Sequence, residues 1–423
     1  MHIHPSGPLR GCLTVPGDKS ISHRAVMLGA LANGTTHITG FLMGEDCLST
    51  IDCFRKMGVE IEVREDEVIV EGVGLHGLCE PEEALYTGNS GTTTRLLCGI
   101  LAGQPFTATL NGDASIQKRP MGRVIKPLRE MGASIEGKND NYCPLTLYPS
   151  ELHGIEYRLP VASAQLKSAI LLAGLYAEGQ TTVIEPAPSR DHTERMFRAL
   201  GVEIDTEGST ITLDPPEDLH AVDIAVPGDI SSAAFFLTAG AIVPGSELTI
   251  RNVGVNPTRT GVIDVLRDMG ASITEDNFRD ESEPVCDLTV RASALHGVEI
   301  GGAIIPRLID ELPVIAVAAA FAEGETVIRD AQELKVKESN RIAAMVRELG
   351  RAGVDVEETE DGMIIRGGKT PRGAAFETYG DHRIAMSMAV LALGAEGVSR
   401  IDDPEVVAIS YPGFFDTLGQ LGG

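Results

Sequence analysis

The chain has 423 residues, 43% of them apolar but only 4% aromatic and none of them tryptophan, so it has the length for two or three domains with cores of Ala, Val, Ile and Leu. With 35 basic against 61 acidic residues its net charge is −26, which argues against a nucleic-acid or anionic-membrane surface. Seven cysteines, at 12, 47, 53, 79, 98, 143 and 286, form no C-x-x-C and no Cys/His spacing, a pattern of reduced thiols in a cytosolic protein rather than of disulfides or zinc. The N-terminal stretch MHIHPSGPLRG has no hydrophobic segment, so no secretory signal is expected, and the longest apolar run, Leu312–Phe321, is too short to span a bilayer.

One phrase, apolar-Arg-x-[Met/Leu]-Gly-[Val/Ala]-x-Ile, recurs along the chain. It stands at Phe54–Ile61, Leu128–Ile135, Phe197–Ile204 and Leu266–Ile273, returns with a small insertion at Val346–Val356, and ends truncated at Phe415–Gly419. Its glycines (Gly58, Gly132, Gly201, Gly270, Gly350, Gly419) are 74, 69, 69, 80 and 69 residues apart, which divides the chain into six similar units.

Each unit also holds a helix apolar on nearly every side, predicted at Lys19–Gly34, Ser90–Gly103, Ser163–Gly179, Asp229–Gly245, Asp310–Gly324 and Asp381–Gly397, with the glycines as stop signals. The second helix of each unit, ending in the repeated phrase, is amphipathic and is expected to cover the outside. Its arginines (Arg55, Arg129, Arg198, Arg267, Arg347) are read as helix C-terminal electrostatics without a catalytic role. Strands are predicted around Thr36–Ile38, Val68–Val70, Thr107–Leu110, Thr182–Ile184, Thr210–Leu213, Glu247–Ile250, Thr326–Ile328 and Met363–Ile365, giving a βαβαββ-type unit. Val15-Pro16-Gly17-Asp18-Lys19-Ser20 is echoed by Val226-Pro227-Gly228-Asp229-Ile230-Ser231. Two chain crossings between domains are therefore expected, with residues 18–228 forming one domain of three repeats and 1–17 plus 229–423 the other.

Polar residues gather at the N-terminal ends of the apolar helices, where free N–H groups and the helix dipole favour anions. The openings are Asp18-Lys19-Ser20-Ile21-Ser22-His23-Arg24, Asn89-Ser90-Gly91-Thr92-Thr93-Thr94-Arg95, Ser163-Ala164-Gln165-Leu166-Lys167, Asp310-Glu311 and Asp381-His382-Arg383. If the helices of each domain run parallel, all six N-termini face one cleft. Lysines number only nine, so Lys19, Lys167, Lys335 and Lys337 in these segments are informative. The basic loop Gln117–Arg123 and the charged run Glu333–Arg341 add cations, although a charge run alone is more often a solvated face. Neither a G-x-x-x-x-G-K-[S/T] nor a G-x-G-x-x-G pattern is present, so nucleotide phosphate binding is not expected. Carboxylates and a histidine beside the cations suit proton transfer on a multiply anionic small molecule.

Taken together, PGDKSISHRA, GNSGTTTR, KRPMGR, SAQLKSA, the Asp310 segment, KVKESNRI, YGDHRIAM and SYPGFF resemble, in order and from residue 16 to 415, the 5-enolpyruvylshikimate-3-phosphate (EPSP) synthase family. The resemblance implies two inside-out α/β domains of three βαβαββ-type repeats each. It implies transfer of the enolpyruvyl group of phosphoenolpyruvate to the 5-hydroxyl of shikimate 3-phosphate, through a tetrahedral intermediate and without a metal or organic cofactor. Carried over, Lys19, Gly91, Arg119, Gln165, Arg341 and Arg383 would hold phosphoenolpyruvate. Ser20, Arg24, Ser163, Ala164, Gln165, Ser189, Asp310 and Lys337 would hold shikimate 3-phosphate. Asp310 would be the base for the 5-hydroxyl, and Glu338, with Lys19 and His382, would handle the proton at the methylene carbon. A cytoplasmic monomer in the shikimate pathway, with no nucleic-acid or membrane partner, is implied as well.

Some positions depart from the family pattern. Ala164 replaces a serine, His192 a tyrosine, Glu333 an asparagine, Leu96 a proline and Ile409 a lysine that reaches phosphoenolpyruvate in many members. The retained Gly91 implies inhibition by glyphosate. The rivals are the sister transferase acting on UDP-N-acetylglucosamine, which carries a cysteine absent from Asn111–Pro120 here, and a clamp-like scaffold, which would not concentrate Lys, Arg, Asp and His at buried helix ends.

Overall fold

A computed structural model describes residues 1–280 and 282–421 of this chain. The fold is mixed α/β in two compact units, one of residues Gly17–Val226 and the other of Met1–Pro16 with the residues from Pro227 onward. In chain order the helices are α1 (Lys19–Leu31), α2 (Glu45–Lys56), α3 (Gly91–Ala102), α4 (Gly122–Glu130), α5 (Ala164–Gly174), α6 (His192–Ala199), α7 (Ile230–Ile242), α8 (Gly261–Asp268), α9 (Leu312–Phe321), α10 (Arg341–Arg351), α11 (His382–Gly394) and α12 (Phe414–Leu421). The first eleven alternate in kind. Odd-numbered helices are the apolar ones, and every residue of α7 is buried. Even-numbered helices bury a single face, as α10 does with Ile342, Met345 and Leu349.

In the Gly17–Val226 unit, Ile224–Ala225 runs parallel to Asn33–Thr39, which pairs antiparallel with Glu67–Val73, itself antiparallel to Glu60–Arg64. Leu85–Tyr86, Ala108–Asn111, Tyr142–Tyr148 and Ser134–Lys138 repeat that order, as do Glu156–Arg158, Thr181–Ile184, Thr210–Leu213 and Ile204–Glu207. In the other unit the order returns in Arg10–Thr14, Glu247–Gly254, Pro284–Arg291 and Ser272–Asp280, and in Glu299–Ile300, Glu325–Ile328, Met363–Arg366 and Asp355–Glu358. Among the described residues the truncated sixth copy makes no hairpin of its own. There the N-terminal His2–Ile3 pairs antiparallel with Ser399–Ile401, whose other neighbour is Ala375–Phe376.

The repeated phrase has a clear physical content. Gly58, Gly132, Gly201 and Gly270 have φ of 89°, 103°, 90° and 99°, the left-handed turn that ends the outer helix and is open to glycine. In the fifth copy α10 continues through Gly350, so the turn falls on Gly353 (φ 79°), and in the sixth Gly419 lies inside α12. The arginines do more than meet a helix dipole. Arg55, Arg129, Arg198 and Arg267 each donate to the carbonyl six residues on, at Ile61, Ile135, Ile204 and Ile273, tying the helix to the next strand. Arg347 breaks the pattern and lies over the Tyr379 ring.

Five of the six inner helices stop before the glycine expected to end them. The C-cap of α1, for example, is Ala32 in extended backbone (φ −83°, ψ 160°), and Gly34 already belongs to the following strand. Only α3 ends at its glycine, with Gly103 as C-cap.

Candidate active site

In the Gly17–Val226 unit, hydrogen bonds join the N-terminal ends of the inner helices. Asp18 caps α1 by accepting from the Ile21 N–H at 2.9 Å, and Lys19, the first helical residue, forms an ion pair with Asp46 of α2. Arg24, 4% exposed, spreads its guanidinium over three acceptors: the Ser20 carbonyl at 2.9 Å, Ser168 Oγ of α5 at 2.7 Å and Thr193 Oγ1 of α6 at 2.7 Å. Ser90 caps α3 and receives the Thr93 hydroxyl at 2.7 Å; Thr93 and Thr50 Oγ1 lie 2.7 Å apart, and Thr50 lies 2.7 Å from His23 Nδ1. His23 is wholly buried, and burial first, then Lys19 and Arg24, pull its pKa well below the ordinary histidine value. Arg95 donates to Gln165 Oε1 at 2.8 Å, and Gln165 donates in turn to Thr92 Oγ1 at 2.9 Å, linking α3 to α5. Arg119 donates to the Asn89 carbonyl at 3.2 Å. A Cβ on Gly91 would stand 2.5 Å from Arg95 Nη1 and 3.0 Å from the Arg119 guanidinium carbon, so a larger residue here would push these two cations out of their present positions.

The other unit gathers charge at the starts of α9, α10 and α11. Arg341, 1% exposed, donates through Nε and Nη2 to Asp381 at 2.8 and 3.2 Å, through Nη1 to Asp310 Oδ1 at 3.3 Å and through Nη2 to Glu338 Oε2 at 2.6 Å. Lys337 Nζ reaches the same Asp310 oxygen at 3.2 Å, and Arg383 Nη1 donates to the Asp310 carbonyl at 3.2 Å. Asp381 caps α11 through the Arg383 N–H at 3.0 Å, and His382 beside it is buried. Burial opposes the Arg341 charge, yet Asp381, Glu338 and Asp310 hold its pKa above the ordinary range. Burial likewise pushes the Asp381 carboxyl up, but Arg341 outweighs this and keeps it below its usual value. Behind this cluster Ser231 of α7 donates to the buried Glu311, and Arg259 reaches Ser231 Oγ at 2.8 Å and Asp229 Oδ1 at 3.1 Å. Glu311 precedes α9, so α7 is joined to the same group of helix ends.

The family described as EPSP synthase (3-phosphoshikimate 1-carboxyvinyltransferase) matches residues 3–418. The chain belongs to the EPSP synthase family. It is 61% identical over 418 residues to the 3-phosphoshikimate 1-carboxyvinyltransferase of Geobacillus thermodenitrificans (strain NG80-2), covering 98% of this chain and 96% of the relative. To the Bacillus cereus (strain B4264) protein of the same name it is 58% identical over 415 residues, covering 98% and 97%. Among solved structures, the EPSP synthase of Acinetobacter baumannii is similar over 100% of this chain and 98% of its own, with a TM-score of 0.89 at 48% identity.

The residues expected from the EPSP synthase family motifs fall into two groups in the fold. Lys19, Ser20, Arg24, Gly91, Arg119, Ser163, Ala164, Gln165 and Ser189 lie in the Gly17–Val226 unit, with Ser163 capping α5 and Ala164 as its first residue. Asp310, Lys337, Glu338, Arg341, His382 and Arg383 lie in the other, as do Glu333 and Ile409 in short 3-10 turns. Two lysines are placed elsewhere than their motifs suggested. Lys167, 1% exposed, is paired with Glu185 at 3.0 Å and Glu194 at 2.6 Å, and Lys335 meets Glu358 at the surface at 3.6 Å. Ser189 donates its hydroxyl to Glu185. Sequence reasoning left out Asp46, the partner of Lys19, and gave Arg95 and Asp381 no more than a place in a motif. Asp381 carried a signal in its position before His382-Arg383; Asp46 sits on an outer helix and carried none.

Proposed function

We propose that the chain transfers the enolpyruvyl group of phosphoenolpyruvate to the 5-hydroxyl of shikimate 3-phosphate and releases phosphate. The observation that carries this reading is identity of 58–62% over nearly the whole chain to relatives named for that activity. The retained motif side chains support it. Lys19, Arg119, Arg341 and Arg383, with the Gly91 backbone and Gln165, hold phosphoenolpyruvate, since guanidinium groups and helix N-termini suit phosphate and carboxylate. Ser20, Arg24, Ser163, Ala164, Gln165, Ser189, Asp310 and Lys337 hold shikimate 3-phosphate.

Asp310 takes the 5-hydroxyl proton as that oxygen attacks C2 of phosphoenolpyruvate. Glu338, with Lys19 and His382, delivers a proton to the methylene carbon, giving a tetrahedral intermediate with a methyl group. Loss of a methyl proton and cleavage of the C2–O bond to phosphate then give the enol ether, while the cations stabilise charge on the intermediate and the leaving group. The proposed setting is a cytoplasmic monomer without a nucleic-acid partner, supported by the −26 charge. No helix among the described residues is long and apolar enough to cross a membrane.

The test is phosphate release from phosphoenolpyruvate with shikimate 3-phosphate or UDP-N-acetylglucosamine as acceptor. Release only with shikimate 3-phosphate is expected. Release only with the nucleotide sugar would overturn the acceptor, and no release with either from folded protein would overturn the reading.

A further inference from the structure

The fifth copy of the repeat departs from the first four beside the Arg341 cluster. Where its counterparts tie a helix to the next strand, Arg347 places its guanidinium carbon 5.8 Å from the Tyr379 ring centroid. The next residue, Glu348, is fully buried and reaches the same turn. Its Oε1 accepts from the Tyr379 hydroxyl at 2.5 Å, and its Oε2 accepts from the Glu377 N–H at 3.1 Å and from Arg351 at 3.2 Å. Tyr379 and Gly380 are consecutive left-handed residues, with φ of 57° and 64°, a conformation that costs a tyrosine and has to be held by its surroundings. Asp381 follows at once, capping α11 through the Arg383 N–H and binding Arg341. Arg341 and Glu348 are seven residues apart on the buried face of α10. One helix thus supplies Arg341 and, two turns on, grips the turn that leads to Asp381 and Arg383.

We propose that Glu348 and Tyr379 form a clasp that positions Asp381 and Arg383 for phosphoenolpyruvate. The inference rests on the reading that Arg341 and Arg383 hold that substrate. A carboxylate acceptor makes the tyrosine hydrogen bond charge-assisted. Burial, then the bond to Glu348, pushes the Tyr379 hydroxyl up to about 12, so it stays a donor at neutral pH.

The test compares the full-length parent with Tyr379→Phe, which keeps the ring and loses the hydroxyl, and with Glu348→Gln, which keeps hydrogen-bonding partners for the turn. Hydrogen exchange is expected to speed up at amides 379–383 in Tyr379→Phe, with α10 unchanged. Unchanged exchange there overturns the clasp whatever the enzyme assay shows. In steady state, Tyr379→Phe is expected to raise KM for phosphoenolpyruvate about tenfold while KM for shikimate 3-phosphate stays within about twofold, with Glu348→Gln closer to the parent. An unchanged KM for phosphoenolpyruvate, even with a lower melting temperature, leaves a merely structural tie and overturns the positioning role. So does a parallel rise in both KM values. A parent that releases no phosphate with shikimate 3-phosphate would instead count against the functional reading, and the exchange result would still decide the clasp.

Discussion

Arg341 grips Asp381 with two nitrogens at once, Nε to Oδ2 at 2.8 Å and Nη2 to Oδ1 at 3.2 Å, and both side chains are withdrawn from solvent. A buried bidentate pair is costly to break from one side, because the remaining charge stays desolvated. Asp381→Asn is expected to lose about 3–5 kcal/mol of stability, read from urea unfolding. The carboxyl lies below its unfolded value of 3.8, so its contribution is full above that value and vanishes as pH falls through the folded one. The stability gap between parent and variant should hold steady down to about pH 5 and shrink below about pH 4. A gap that persists unchanged at low pH would contradict the pairing.

Asp310 accepts from Lys337 and Arg341 through one oxygen, Oδ1. Asp310→Asn preserves shape and an acceptor oxygen but cannot take a proton. Its kcat is expected to fall by about 10²–10⁴, with KM for shikimate 3-phosphate little changed, in a phosphate-release assay. A kcat within about twofold of the parent would remove Asp310 from the role of base.

The space at Gly91 is closed by Arg95 and Arg119. Gly91→Ala must displace a guanidinium and is expected to raise KM for phosphoenolpyruvate about tenfold, with a smaller effect on kcat. Glyphosate is expected to compete with phosphoenolpyruvate in the parent and to inhibit Gly91→Ala less. Inhibition that does not compete with phosphoenolpyruvate would contradict a shared site.

Lys167 lies between Glu185 and Glu194, all three buried. Lys167→Met would leave two desolvated carboxylates facing each other without their cation, and is expected to cost about 3–5 kcal/mol in chemical unfolding. Retained stability would show that the carboxylates share a proton or reach water.

His23 is held below the ordinary histidine range in the folded chain, chiefly by burial. The unfolded chain therefore takes up a proton near 6.5 that the folded chain refuses, and stability falls as pH drops below that value. His23→Gln is expected to remove this component. The check is unfolding free energy of both proteins from pH 7.5 to 5, where equal slopes would contradict it.

The architecture was legible because the same phrase recurs at fixed spacing and because helices apolar all round, such as α7, can only be interior. Helix ends were less so. Ala32 ends α1 simply by turning extended, and no side chain advertises that. The sequence reading of the candidate site held for which side chains stand at helix entrances, as with Lys19, Gly91 and Arg383. It failed where charge is matched across the fold. Lys167 stands at the start of an apolar helix as the motif cations do, but its partners Glu185 and Glu194 lie in a later loop and on another helix, and no local pattern joins them. The same holds for Lys19 and Asp46.

The inner helices leave almost no side face on which new chemistry could arise. In α7, α9 and α11 nearly every position is enclosed by neighbours, so a change there disturbs packing before it alters reactivity. Adaptive variation in such a protein is channelled into short stretches at the helix entrances, around residues 18–24, 89–95, 163–165, 310–311 and 381–383. A search for altered acceptors or inhibitor tolerance would start at those entrances, together with Arg119, Ser189 and residues 337–341, with the long apolar helices left untouched as a fixed chassis.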